Sequence, residues 1–475
     1  MAARQPQMRV LVAEGSLFQL RADGRQRLEV RGLRREPVPL SRLRVSVRAG
    51  GLQVESPELE GRRPRRVSSL TVHSSDPRGI WLGQRRYGGV VHLMVRDGRI
   101  QAVNHLGIET YLASVVGSEM PEAWPLAALQ AQAVAARTYA LRQRGRKGAF
   151  DVKATVASQV YQGLESATPR TREAVNTTRA LVMVHGGKLI NAVFHSSSGG
   201  ATEPSGEVWR HQLPYLVSVR DHDQQSPVHR WQKHFDARQL RAAFRETGGL
   251  QELDVLQTSS TGRLRSVRVK GPAGALVLSG SELRQRLGLK STMVSFNWLA
   301  QAGRSDIPGA SHRSRRVTPL ERKQSALPGP VSTGPVSTGP ALIGLWRDTA
   351  TGSAQAASPS AVPFRAPVEM GGQGFALLVP PPPLPPSTTP SFKPLRATRP
   401  ISTLPRPGMV LEVQGQGFGH GVGMSQWGAR GLAEQGADFR QILEHYYRGV
   451  TIRPFLPVDD PAMAVLPPVR PAWNS

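Results

Sequence analysis

Between residues 304 and 407 the chain stops offering material from which a core can be built. The stretch holds the direct repeat GPVSTGPVSTGP, the run PPPPLPP, and 12 basic against 4 acidic residues. Pro, Ser, Thr and Gly at this density bury too little apolar area to offset the entropy of ordering the backbone. The segment is expected to be a disordered Pro/Ser/Thr/Gly-rich basic insertion, with polyproline-II docking as the alternative reading. Any core therefore has to be assembled from the two flanks, residues 1–303 and 408–475.

Composition narrows the chemistry. The 475 residues include no cysteine, which excludes disulfides, thiolate nucleophiles and Cys-ligated zinc. Lys and Arg outnumber Asp and Glu by 61 to 34, and residues 1–105 alone hold 20 Arg, no Lys and 9 acids. Such a balance suits a polyanionic neighbour: nucleic acid, anionic lipid or an acidic wall polymer. Charge does not choose among them. No helix-turn-helix, RRM or KH signature is present, and no nucleic-acid partner is expected. No apolar run approaches the ~20 residues of a membrane span. Behind two N-terminal Arg only Val10 to Ala13 are apolar, too short for a signal-peptide core of roughly 7–15 residues. No export signal is readable.

Periodicity divides the flanks. Residues 1–84 read as a β-rich region, with MRVLV, LRVSV and SLTV between turn signals such as Ala22-Asp23-Gly24. VVHLMV and Arg96-Asp97-Gly98 continue the pattern. A helix is expected over Tyr111 to Ser118, broken at Met120-Pro121, and a second from Pro125 to about Arg144. A short helix is expected near Arg170 to Thr177. VRVKGPAGALVLSGSELRQRLGLKST reads as a hairpin followed by a helix capped by Ser281, with Gly288 after it. After the insertion, a helix from Asp438 carries a capping box with Gln441. The fold class is α+β: a mixed, β-rich core with a helix pair.

Three segments hold candidate chemistry. From Tyr111 to Ala136 the only charges are Glu119 and Glu122. A carboxyl at a helix end beside Met120, Pro121 and Trp124 loses hydration, which raises its pKa and prepares it as a general acid. A solvated helix-end carboxylate is the alternative. Gly415, Gly417, Gly419, Gly421 and Gly423 occupy alternate positions. As a strand, this stretch has one bare face and Gln416, Phe418, His420, Val422 and Met424 on the other. Bare-face packing on a neighbouring strand and a ligand groove both remain open. FHSSSGGATEPSGEVW, residues 194–209, offers hydroxyls and the aromatic face of Trp209 to a sugar, or is a surface turn. The histidines at 185, 195, 211, 222, 229, 234, 420 and 445 lack metal-ligand spacing.

Together, NHLGIETYLASVVGSEMPEAWPLAALQAQAVAARTYAL, SQVYQG through FHSSSGGATEPSGEVW, and GQGFGHGVGMSQWGARGLAEQGADFRQILEHYYRGV resemble the SpoIID/LytB family. This family comprises the stage II sporulation protein D lytic transglycosylases and the related amidase enhancers. The resemblance covers roughly residues 85–300 and 408–452, and VLSGSELRQRLGLKST follows the same order. It implies a catalytic domain in two parts, 85–303 and 408–455, followed by a flexible tail, 456–475.

The resemblance implies a peptidoglycan lytic transglycosylase, with Glu119 of the E-M-P motif as catalytic acid. The alternative is a non-catalytic wall-binding enhancer of an N-acetylmuramoyl-L-alanine amidase. His195, Ser198, Gly199, Thr202 and Trp209 of the second block, and His420, Gln426 and Trp427 of the third, are expected around the glycan. Arg137 and Tyr139 are expected to support the helix pair. Many relatives carry Cys where Ser198 stands, and some hold a metal near this loop. Without Cys, neither metal nor other cofactor is expected. Expected partners are peptidoglycan glycan strands and other wall hydrolases or amidases, in the cell envelope or periplasm.

Overall fold

The structure, a computed structural model, describes residues 5–24, 26–59, 65–145, 148–155, 158–300, 409–456 and 459. Its class is α+β, as expected from the sequence. The disorder expected of 304–407 concerns chain outside the described residues. So does the flexible tail, apart from Leu456 and Asp459.

The arginine-rich N-terminal third forms strands because apolar residues alternate with polar ones. In Arg42–Arg48, Leu43 and Val45 are buried while Arg42, Arg44 and Arg48 face water. One sheet has seven strands, in the order Val152–Lys153, Gln7–Gly15, Arg99–Gly107, Val90–Arg96, Ser69–His73, Leu28–Arg31 and Val38–Leu40. A second has six: Arg85–Tyr87, Ile80–Leu82, Leu17–Ala22, Arg42–Arg48, Gly51–Glu55 and Arg65–Val67. Met8, Val10, Leu93, Leu43 and Val54 from both sheets share one core. Asp97 and Gly98 turn the chain between Val90–Arg96 and Arg99–Gly107 with φ of 50° and 69°. Two positive φ values match the twist of an antiparallel pair joined by two residues. The expected limit at residue 84 runs between strands of the same sheets, since Ser69–His73 pairs with Val90–Arg96.

The first helix spans Ile108–Glu119, following the strand Arg99–Gly107 without a loop. The second spans Leu126–Gln143, with Pro125 at its N-cap. Its alanines, including Ala128, Ala131, Ala133, Ala135 and Ala136, are buried on every side. A helix clad in methyl groups lets neighbours approach all round, which suits a central position rather than an amphipathic one. It contacts the first helix, Pro169–Thr177, Gln426–Glu434, Phe439–Tyr446 and the strand Leu181–His185.

A second core gathers Phe235, Phe244, Val267, Leu283, Phe296, Leu411 and Val413. Here the strand Val294–Ala300 pairs with Met409–Gln416, register Val294 to Gly415 and Ala300 to Met409. The two ends of the 301–408 connection are thus neighbours in one sheet. The helix after the hairpin spans Gly280–Leu287, and its cap is Ser279, not the expected Ser281. Ser279 completes a capping box with Glu282, which places the first turn earlier than Ser281 allows. Asp438 and Gln441 form the expected box on Phe439–Tyr446.

Candidate active site

Glu119 is the last residue of the first helix. Its Oε1 accepts the backbone N–H of Val160 at 2.9 Å, and its Oε2 accepts the Gln426 amide at 3.0 Å. Burial pushes its pKa above the ordinary carboxyl value, against the lowering effect of those two donors. The carboxyl is thereby held in a fixed orientation while ionisation is disfavoured. Met120 and Trp124 are buried beside it. The Trp124 and Trp427 rings meet edge to face at 4.8 Å, and Arg430 lies over both, at 5.5 and 5.0 Å.

The Val160 N–H is aimed by its neighbours. Tyr111 Oη donates to Gln159 Oε1 at 2.9 Å, Gln159 Nε2 donates to the Ala136 carbonyl at 3.1 Å, and Tyr161 Oη donates to Asn104 Oδ1 at 2.9 Å. The segment 159–161 is therefore pinned to both helices and to the large sheet. Further on, Ser118 Oγ donates to Ser166 Oγ at 3.0 Å, and Ser114 Oγ donates to the Gly163 carbonyl at 2.5 Å. Gly117 permits this approach, because a Cβ there lies 1.8 Å from the Ser166 carbonyl oxygen. A side chain at 117 closes the gap through which the segment reaches Glu119.

The glycine ladder is a correction to the strand reading. The strand ends at Gln416, and Gly417, Gly419, Gly421 and Gly423 have φ of 71°, 117°, 84° and 72°. Repeated left-handed conformations cannot continue a β-strand, and they fold the stretch into a loop instead. The loop lies against Val193 to Ser198 and the Arg263 side chain. His195–Ser425 and Phe194–Met424 form a short parallel ladder, and Trp427 N–H donates to the Ser196 carbonyl at 3.0 Å. This ladder places His195 beside the residue that precedes Gln426.

Val422 fixes both histidines. His195 Nδ1 donates to the Val422 carbonyl at 3.2 Å, while the Val422 N–H donates to His420 Nδ1 at 3.0 Å. His195 is buried, and its Nε2 has no partner among the described residues. Burial first, then His420 and Arg263, hold its pKa well below the ordinary value. Burial with Arg263 and Arg284 lowers His420 to about 4. Both rings are neutral near pH 7. The rings stand 5.4 Å apart, and Trp209, 39% exposed, stands 5.4 Å from His420.

Beneath this loop lies a charged layer that the sequence reading missed. Ser197 Oγ donates to Asp223 Oδ2 at 2.5 Å, Gly199 N–H donates to the same oxygen at 2.7 Å, and Tyr446 Oη donates to Asp221 Oδ1 at 2.6 Å. His229 Nδ1 meets Asp223 Oδ1 at 2.9 Å. Arg263 Nη2 donates to the Ser198 carbonyl at 2.6 Å, and Arg263 Nε pairs with Glu203 Oε2 at 3.3 Å. Burial and Asp223 push Asp221 up, whereas hydrogen bonds from His229, Ser197 and Gly199 bring Asp223 down despite its burial. The motif Asp221-His222-Asp223 is visible in the sequence, but nothing local marks it as buried.

The structure thus groups Glu119, Gln426, Trp427, His195 and His420, with Trp209 at the rim. Ser198 and Thr202 stand elsewhere than expected. Ser198 is fully buried with its hydroxyl on Asp221, and Thr202 Oγ1 accepts the Val219 N–H at 2.9 Å inside a turn. The Ser198 hydroxyl is thus committed to Asp221, and no group of three His, Asp or Glu among the described residues is arranged to hold a metal. Arg137 grips Glu109 at 2.7 and 3.1 Å and donates to the Leu181 and Val175 carbonyls, at the far end of the first helix. Tyr139 packs half-buried against the main core.

The chain is similar to several known proteins. Residues 96–185 match the family model described as SpoIID, stage II sporulation protein. An amidase enhancer of Bacillus subtilis (strain 168) is 27% identical over 345 residues, 72% of this chain and 40% of that protein. The stage II sporulation protein D of the same strain is 30% identical over 221 residues, 42% of this chain and 62% of that protein. The chain spans less than two thirds of the length of both. Stage II sporulation protein D of Bacillus amyloliquefaciens is 24% identical over 371 residues, 74% of this chain and 75% of its own. Residues 96–185 thus carry a SpoIID domain, and the helix pair, Glu119 and Val160 all lie inside it.

Proposed function

We propose that the protein is a peptidoglycan lytic transglycosylase of the cell envelope, with a catalytic unit built from residues 85–303 and 408–455. The observation that carries this reading is the half-buried Glu119 carboxyl, its pKa raised by burial, oriented by the Val160 N–H and the Gln426 amide with no second carboxyl among its described partners. A glycosidase that uses water employs two carboxyls, about 5–5.5 or 6.5–9.5 Å apart. One carboxyl suffices when the substrate supplies its own nucleophile. Protonated Glu119 gives its proton to the oxygen between N-acetylmuramic acid C1 and N-acetylglucosamine, and the C1–O bond breaks. The muramyl C6 hydroxyl then closes on C1, and its proton returns to Glu119. The product is a 1,6-anhydromuramyl end, and no water is consumed. The Val160 and Gln426 donors stabilise the carboxylate between the two transfers. The exposed Trp209 face supplies a stacking surface for the glycan at the rim.

Mass spectrometry of digested, purified peptidoglycan tests the reading. Glu119→Gln is expected to abolish anhydro ends while sparing wall binding; undiminished product from a folded variant overturns it. A second reading follows from the Bacillus subtilis relative named amidase enhancer: a wall-bound partner that stimulates a separate amidase. That activity is expected to survive Glu119→Gln.

A further inference from the structure

We infer that the outward face of the six-stranded sheet is a docking surface for an extended phosphodiester polymer without bases, of the polyol-phosphate kind. The inference is independent of glycan cleavage. Register places the side chains in rows across the strands: Arg21 opposite Arg42, Gln19 opposite Arg44, Arg44 opposite Glu55, and Gln53 opposite Arg66. Directly opposed residues share a face, so one side of this sheet carries Arg21, Arg42, Arg44 and Arg66, all exposed. The other side is anchored in the main core by Leu20, Leu43, Val45, Leu52 and Val54. The guanidinium array therefore stands on a rigid base.

Like charges directly across a ladder are destabilising, and a sheet normally relieves them with acids. Here Glu55 is the one acid within these rows, and none of these four arginines forms an ion pair with a described residue. An uncompensated row of planar, permanently charged forks matches phosphate oxygens. Arg21, Arg42 and Arg44 line a groove with Gln19, Ser56 and the single acid Glu55, so part of the row is concave and carries three guanidiniums to one carboxylate.

Charge complementarity sets the class of occupant, and the rest of the face selects within it. Single-stranded nucleic acid is held by aromatic platforms on which bases stack. The aromatic in these rows is Trp81, half-buried, with the Arg21 and Arg86 guanidiniums 4.3 and 5.3 Å from its ring. Its faces are already taken by cations. A lipid surface needs apolar side chains to insert, and Leu17 is the exposed large hydrophobic residue on this sheet among those described.

The test uses the full chain and labelled poly(glycerol phosphate), with binding followed by fluorescence anisotropy across a salt series. Arg42→Glu/Arg44→Glu is expected to weaken binding more than tenfold. It is also expected to reduce the slope of log affinity against log salt by about 1.4, from ~0.7 per lost phosphate contact on a single chain. Arg42→Lys/Arg44→Lys keeps the charge and most of the slope. Unchanged binding by the reversed variant, with wild-type circular dichroism, overturns the site. Tighter binding of a single-stranded oligonucleotide of equal charge, or of anionic vesicles, overturns the occupant. Anhydro-end formation on glycan stripped of anionic polymer is expected to be unchanged in both variants, which separates this surface from Glu119.

Discussion

The Gln426 amide donates to the Glu119 carboxyl at 3.0 Å, although 307 positions separate the two residues in the chain. Glu119 closes the first helix of the pair and Gln426 opens the helix Gln426–Glu434. The candidate acid is therefore complete only when the two flanks of the 301–408 connection have come together.

That bond sets a pH dependence. As a general acid, Glu119 works while protonated, so activity is expected to fall as pH rises through its raised pKa. Gln426→Leu removes a donor that favours the carboxylate, which moves the basic limb to higher pH. Loss of a hydrogen bond to a charged group, roughly 1.5–3 kcal/mol, predicts a fall of about 10- to 160-fold in kcat/KM at the optimum. The stability term has a definite sign too. A carboxyl whose folded pKa is raised stabilises the fold below its unfolded value, and that contribution is lost as pH rises through the folded value. Rate profiles and chemical denaturation between pH 4 and 8 check both; a limb that moves to lower pH contradicts the assignment.

Gly117 gives a sharp stability test. In an unobstructed helix, Gly→Ala stabilises by about 0.5–1 kcal/mol. Here the added methyl meets the Ser166 carbonyl oxygen at 1.8 Å, and backbone has to move. Gly117→Ala is expected to cost about 1–3 kcal/mol instead. It should also cut kcat, because the displaced segment carries the Val160 N–H. Urea denaturation reads the first effect and anhydro-end formation the second.

Arg137 separates support from substrate contact. Its guanidinium is 1% exposed and its partner Glu109 is 10% exposed. Arg137→Met leaves a buried carboxylate unpaired and is expected to cost about 3–5 kcal/mol. Adding Glu109→Gln should recover part of that loss. Glu109 and Glu119 sit at opposite ends of one helix, about 15 Å apart at 1.5 Å per residue. The KM of the folded fraction should therefore remain unchanged.

His229 carries a second pH signature. Its hydrogen bond to Asp223 raises its pKa above the ordinary 6.5. The pair therefore stabilises the fold fully below pH 6.5, and the contribution is lost as pH rises through the folded value. His229→Gln should flatten that decline. Thermal melts between pH 6 and 9 check it, and an unaltered slope contradicts the pairing.

Sequence periodicity was enough to place the helix pair, because Glu119, the Met120-Pro121 break and the alanine run are local signals. The capping box at Asp438 was equally local. The glycine ladder misled for a physical reason: alternation has the period of a strand, but glycine also reaches positive φ, and backbone contact with Val193 to Ser198 selected the second use. Ser198 and Thr202 belong to recognisable blocks, but their hydroxyls are taken by Asp221 and the Val219 N–H. No local pattern distinguishes a hydroxyl that faces ligand from one that secures a turn. Val160 acts through its backbone N–H, which its side chain does not advertise.

The pairing of Val294–Ala300 with Met409–Gln416 has a consequence for how this chain tolerates length. The ladder already holds Ala300 and Met409 side by side, so the sheet itself, whatever the length of chain between them, fixes the spacing of these two ends. In general, halving a flexible loop changes its closure entropy by only about 0.6 kcal/mol. Natural or engineered trimming there should leave Glu119 and Gln426 in register, and a proteolytic nick should yield two pieces that still co-purify as one particle.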